Sequence, residues 1–73
     1  LAAPEQAELH SSLSERELQT LKKIASGRKL SQIAEELMLS PKTVSVYRAR
    51  VLEKLALSNN AELTVYAIRN GIV

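Results

Sequence analysis

Seventy-three residues suffice for one small domain with a single core, and nothing in the chain suggests a second. Apolar residues make up 45%, but with no Phe, no Trp and two Tyr the core must come from Leu, Ile, Val and Ala, which suits packed helices. The lack of Cys excludes disulfides and thiolate metal ligands and fits a reducing compartment, while the net charge of +2 is modest.

No apolar run approaches the roughly 18 residues that span a bilayer, and no signal-peptide core is present. A soluble, cytoplasmic domain without membrane contact is expected. The chain begins at Leu1 rather than Met, which points to a fragment whose upstream regulatory domain lies outside it. Residues 1–12, "LAAPEQAELHSS", mix Pro with small and polar residues and read as a linker or N-terminal extension, with room for a short helical turn after Pro4. His10 stands alone there and reads as solvated.

Residues 13–73 read as one domain of four helices. In "LSERELQTLKKIASG", Ser14 and Glu17 have capping-box spacing and Leu13 can staple against Leu18. Leu18, Leu21, Ile24 and Ala25 form the buried stripe, and Gly27 can take the left-handed position that ends the helix. "SQIAEELML" predicts a shorter second helix with Ile33, Ala34 and Leu37 inward, Glu35 and Glu36 outward, and Ser31 as its cap. Ser40 followed by Pro41 opens a third helix that runs to about Leu55. The short "MLS" turn before it holds helices two and three at a fixed angle, the helix-turn-helix plan. Asn59 with Glu62, and Asn70 with Gly71, bracket the fourth helix. The fold class is all-α, a compact four-helix domain containing a helix-turn-helix.

The third helix carries two patterned faces. Stepping about 100° per residue places Val44, Val51 and Leu55 inward, with Tyr47, Arg48 and Leu52 on the flanks. Opposite lie Lys42, Ser45, Val46, Ala49 and Glu53, with Arg50 beside them. A helix that enters a major groove needs short side chains at closest approach and cations at its rim. Ser45, Val46 and Ala49 meet the first need; Lys42, Arg50 and Lys54 can meet phosphates, and Ser40 and Thr43 can donate to them in the first turn. The plainer alternative is a solvated helix face. Lys22, Lys23, Arg28 and Lys29 form another basic cluster, open to the same two readings.

Taken in order, "LSERE", "IASG", "IAEELMLSPKTVSVYRARVLEKL" and "NNAELTVYAIRNGIV" resemble the LuxR-type helix-turn-helix domain, and more narrowly the output domain of NarL/FixJ-type bacterial response regulators. The resemblance runs from Leu13 to Val73. It implies sequence-specific binding of double-stranded DNA for transcription regulation, with the third helix in the major groove and the fourth pairing a homodimer on DNA. By motif it places Lys42, Thr43, Ser45, Val46, Ala49 and Lys54 at DNA-contact positions, with Arg48 and Arg50 as additions. Three positions depart from the family pattern. Lys29-Leu30-Ser31-Gln32 replaces a common Ser-Asn-Lys-Glu run, Tyr47 stands for a frequent His, and Ser45 stands for a frequent Lys.

Leu63, Tyr66 and Ala67 form the core stripe of the fourth helix, yet Ala61, Val65 and Ile68 fall on nearly the opposite side. That second stripe is expected at a two-fold dimer interface, or else is a set of ordinary exposed apolar residues. An enzyme is not expected. One His, no Cys, no Gly-rich phosphate loop and no facing carboxylates leave no catalytic, cofactor or metal site, and Glu35 and Glu36 read as solvated. Two alternatives stay open: the output domain of a small-ligand-sensing LuxR-type regulator, and a helical protein-interaction module that holds a partner such as RNA polymerase.

Overall fold

The computed structural model describes residues 9–73. Any turn after Pro4 up to residue 8 lies outside the described residues. A short 3-10 turn, Leu9–Ser12, leads into four helices: α1 (Glu15–Ala25), α2 (Leu30–Leu37), α3 (Pro41–Leu55) and α4 (Asn60–Arg69). There is no strand among the described residues.

The start of α1 follows from its capping box. The Glu17 N–H donates to Ser14 Oγ at 3.2 Å, and the Ser14 N–H donates to Glu17 Oε1 at 2.9 Å, so two otherwise orphaned amides are satisfied. The helix ends where Gly27 takes a φ of 90°, a conformation a Cβ would oppose.

The second helix starts earlier than expected. Lys29, not Ser31, occupies the cap position, and its N–H donates to Gln32 Oε1 at 2.9 Å. Ser31 therefore lies inside α2, exposed. The reason is Leu30: including it completes an apolar stripe of Leu30, Ile33, Ala34 and Leu37 at helical spacing, and all four pack in or against the core.

Both α2 and α3 end on a left-handed residue that is not glycine, Met38 at φ 58° and Ala56 at φ 57°. Each end closes the same way: Leu39 N–H reaches Ala34 O at 2.8 Å, and Leu57 N–H reaches Leu52 O at 2.9 Å. Leu39 and Leu57 then pack against the core, which holds the strained residue in place. Ala56→Gly is accordingly expected to stabilise the chain by about 1 kcal/mol, read as a rise in the thermal midpoint.

Ser40 Oγ accepts the Thr43 N–H at 3.1 Å and Pro41 sits at the first helical position, so α3 begins where its sequence says. At α4, Asn59 Oδ1 accepts the Glu62 N–H at 2.9 Å. The return bond differs from a capping box, because Glu62 Oε1 takes the N–H of Ser58 at 2.6 Å rather than that of Asn59. Asn70 and Gly71 close the helix, with Gly71 at φ 68°.

The core draws on every helix: Leu21 and Ile24 from α1, Ile33 and Ala34 from α2, Val44, Val51 and Leu55 from α3, Leu63 and Ala67 from α4. The central helix is α1, against which α3 and α4 both pack extensively, while α2 seats on α3. This arrangement leaves one side of α3 and one side of α4 without a neighbour.

Candidate nucleic-acid interface

The buried line of α3 is Val44, Val51 and Leu55, flanked by half-buried Thr43, Tyr47, Arg48 and Leu52. Lys42, Ser45, Val46, Ala49, Arg50 and Glu53 are all exposed, Val46 at 43%. Side chains on this outer ridge stay short over its middle, where Ser45, Val46 and Ala49 follow one another around the helix. Lys42 lies toward one end and Glu53 toward the other, with Arg50 on the flank. Among the described residues, Lys42, Ser45, Val46, Ala49 and Glu53 make no side-chain hydrogen bond or ion pair, so the ridge is free to meet a partner.

The remaining candidates on α3 have partners within the domain. Thr43 Oγ1 lies 2.9 Å from Ser40 Oγ at the helix start. Arg48 Nε donates to Asn60 Oδ1 at 2.6 Å, linking α3 to the first residue of α4. Lys54 Nζ donates to Glu17 Oε1 at 2.8 Å and to the Ser12 carbonyl at 3.2 Å.

Glu17 does more than cap α1, since it is only 2% exposed. Its position was a signal: Glu17, Leu21 and Ile24 stand at i, i+4 and i+7, so the carboxylate shares the buried stripe of α1. The hydrogen bond from Lys54 and then that from the Ser14 N–H hold its pKa below the ordinary 4.5, against the opposing effect of burial. Thr20 is buried beside it, its hydroxyl donating to the Arg16 carbonyl at 2.9 Å.

Two further expectations are corrected. Glu36 is not simply solvated: it accepts from Lys23 Nζ at 2.7 Å and also from Arg28, and the Lys23 hydrogen bond is the main cause that lowers its pKa. The first basic cluster is therefore partly neutralised from α2. What remains is an open groove of about 440 Å³ lined by Gln19, Lys22, Lys23, Ser26, Arg28 and Leu37. His10 is not solvated either. It is half-buried, with Nδ1 3.0 Å from the Tyr66 hydroxyl and the two rings edge to face at 5.8 Å. Burial raises the Tyr66 pKa, and hydrogen bonding to the His10 backbone opposes that rise.

On α4, Leu63 and Ala67 are buried and Tyr66 is half-buried, whereas Ala61, Val65 and Ile68 are exposed, the last two at 47% and 61%. Among the described residues no helix is long and apolar enough to cross a membrane, and no group of three or more His, Cys, Asp or Glu could hold a metal ion.

Residues 11–67 match the model of the luxR family of bacterial regulatory proteins. The chain belongs to the luxR family. The family is one of DNA-binding regulators of transcription, not of enzymes. Among curated members, the response regulator UvrY of Escherichia coli K12 is 52% identical over 61 residues, covering 84% of this chain and 28% of UvrY. The response regulator GacA of Pseudomonas aeruginosa is 48% identical over 62 residues, covering 85% of this chain and 29% of GacA. GacA of Pseudomonas protegens is 49% identical over 61 residues, covering 84% and 29%. The chain thus spans less than a third of the length of these luxR-family relatives. The matched segment begins inside the 3-10 turn and takes in all of α1, α2 and α3.

Proposed function

We propose that this luxR-family domain reads double-stranded DNA by laying the outer ridge of α3 in the major groove. The observation that carries the reading is the contrast within α3: one face is buried, and the other is a narrow ridge of Ser45, Val46 and Ala49 with no internal partner, bordered by Lys42 and Arg50. Small residues let the helix approach base edges, and Val46 can pack on a thymine methyl. Lys42, Arg50 and Thr43 with the first-turn amides meet phosphates. Glu53 limits the ridge, since a carboxylate there is repelled by the backbone unless it accepts from a cytosine amine.

Salt dependence tests the reading. Log affinity for a duplex is expected to fall linearly with log salt, and Lys42→Ala to reduce that slope by about one unit. A salt-independent affinity would instead favour a protein partner such as RNA polymerase.

The exposed stripe of Ala61, Val65 and Ile68 on α4 supports a self-complementary contact between two copies bound to DNA. Such a contact places two α3 helices on successive half-sites of a roughly palindromic operator. Sedimentation of Val65→Glu with duplex DNA is expected to show one chain where the wild type shows two; unchanged stoichiometry removes the contact from the proposal.

Residues 13–73 are the DNA-binding domain in this reading, and residues 1–12 the connection to an upstream domain, its last turn folded back onto α3. The relatives are response regulators, so we infer the output domain of a cytoplasmic two-component regulator in preference to a small-ligand sensor. The residues preceding this segment in the full-length protein test that choice, since a receiver domain carries a phosphorylatable aspartate and a ligand-sensing domain does not need one.

A further inference from the structure

The reading helix and the pairing helix barely touch. α3 and α4 share no extensive contact with each other, and both pack on α1. Between them run only Ala56 to Asn59, with Ala56 left-handed and Asn59 already serving as the cap of α4. Across this gap lies the Arg48 Nε to Asn60 Oδ1 hydrogen bond of 2.6 Å. Arg48 follows buried Val44 by one turn and precedes buried Val51, so its side chain leaves α3 on the inward flank and not on the ridge. It is half-buried, as expected for a stem laid along the domain surface. A guanidinium held through Nε has its plane set by that acceptor.

We propose that Arg48 is a positioning residue: by holding Asn60 it sets the angle between α3 and α4, and so the spacing at which two copies can engage two half-sites. The proposal rests on the preceding reading, in which α3 binds DNA and α4 pairs. If Arg48 neutralised a phosphate, its loss would weaken binding to any duplex and flatten the salt response. If it positions, its loss acts only where both helices must be satisfied at once, and loss of Asn60 does the same.

The test uses the 73-residue chain and a duplex recovered with it by selection from a random-sequence pool. Alongside run the same duplex with one half-site scrambled, and versions with the spacer altered by a base pair. Arg48→Gln and Asn60→Ala are each expected to lower affinity for the two-half-site duplex about tenfold and to broaden spacer tolerance. Both leave half-site affinity and salt slope unchanged, and the double variant loses no more than either single one. Asn60→Asp, which keeps the acceptor, restores wild-type behaviour. Asn60 is exposed, so matched thermal melts are expected throughout.

Two results overturn the proposal. In one, Arg48→Gln lowers the salt slope on the scrambled duplex by about one unit while Asn60→Ala changes nothing, which makes Arg48 a phosphate ligand. In the other, the two losses add. Failure of the underlying reading shows separately, in the wild type alone, as no preference for two half-sites over one.

Discussion

Ala49→Glu will leave the chain folded and lower its affinity for duplex DNA by about a hundredfold or more. Ala49 is exposed in the middle of the ridge, with no internal contact to lose, so the fold has no stake in its size. Glutamate is a good helix former, and the thermal midpoint is expected to stay within the small range typical of surface changes. In the proposed docking of α3 the same change does two things at the DNA. It pushes the helix out from the closest point of approach, and it sets a negative charge against base-edge acceptors and phosphates, where like charges cost several kcal/mol. Ala49→Gln separates these effects, since it adds the bulk without the charge and is expected to cost about tenfold. Fluorescence anisotropy with a labelled duplex measures both. A variant Glu at this position that binds as the wild type does would place the DNA somewhere other than on the outer ridge of α3.

The parts of this architecture that were legible in the sequence are those governed by one helix at a time. Caps at Ser14, Ser40 and Asn59, the left-handed Gly27, and the inward line of Val44, Val51 and Leu55 each depend on spacing within a few residues, and each is present. The start of α2 was misjudged because Ser31 looked like a cap, while the decisive fact was the tertiary demand for Leu30 in the core. Side-chain pairs between elements were not legible at all. The bonds from Lys54 to Glu17, Arg48 to Asn60, His10 to Tyr66 and Lys23 to Glu36 join residues 13 to 56 positions apart, except Arg48 and Asn60 at 12, and no local pattern links them. For the candidate site this matters directly. Spacing sets Arg48 apart on the inward flank of α3 but leaves Lys54 grouped with Lys42 and Arg50 as a phosphate ligand, whereas packing moves it: Lys42 and Arg50 are exposed and make no ion pair among the described residues, while Arg48 and Lys54 are engaged within the domain.

Lys54→Met will destabilise the chain by about 2 kcal/mol near neutral pH, and the loss will shrink as the solution is acidified. Lys54 donates to a carboxylate that is almost wholly buried, so its removal leaves a charge with the Ser14 amide as its remaining hydrogen-bond partner and only the weaker field of Arg50 besides. The Lys54 side chain is 39% exposed, and water that enters beside Glu17 recovers part of the cost, which keeps the figure below that of a fully buried pair. Because the folded Glu17 has a pKa below its ordinary 4.5, its contribution is fully present above that value. As pH falls through the lower folded pKa, the carboxylate takes up a proton, the Lys54 pairing weakens, and the contribution is lost. The gap between wild type and Lys54→Met is therefore expected to be largest near neutral pH and to narrow at acid pH, below the ordinary 4.5, as Glu17 takes up its proton. Glu17→Gln supplies the complement, since the amide oxygen can still accept the Ser14 N–H while carrying no charge. Its stability will vary less with pH across the same window. Urea titrations of the three proteins at both pH values give the comparison, and a gap between wild type and Lys54→Met that is equal at both would mean that Lys54 stabilises the fold by the packing of its stem and not by its charge. The distinction bears on DNA binding as well: a lysine whose charge is needed beneath the N-terminal turn anchors the end of α3 to Glu17 and to the Ser12 carbonyl, and so holds the ridge at a fixed tilt to the rest of the domain.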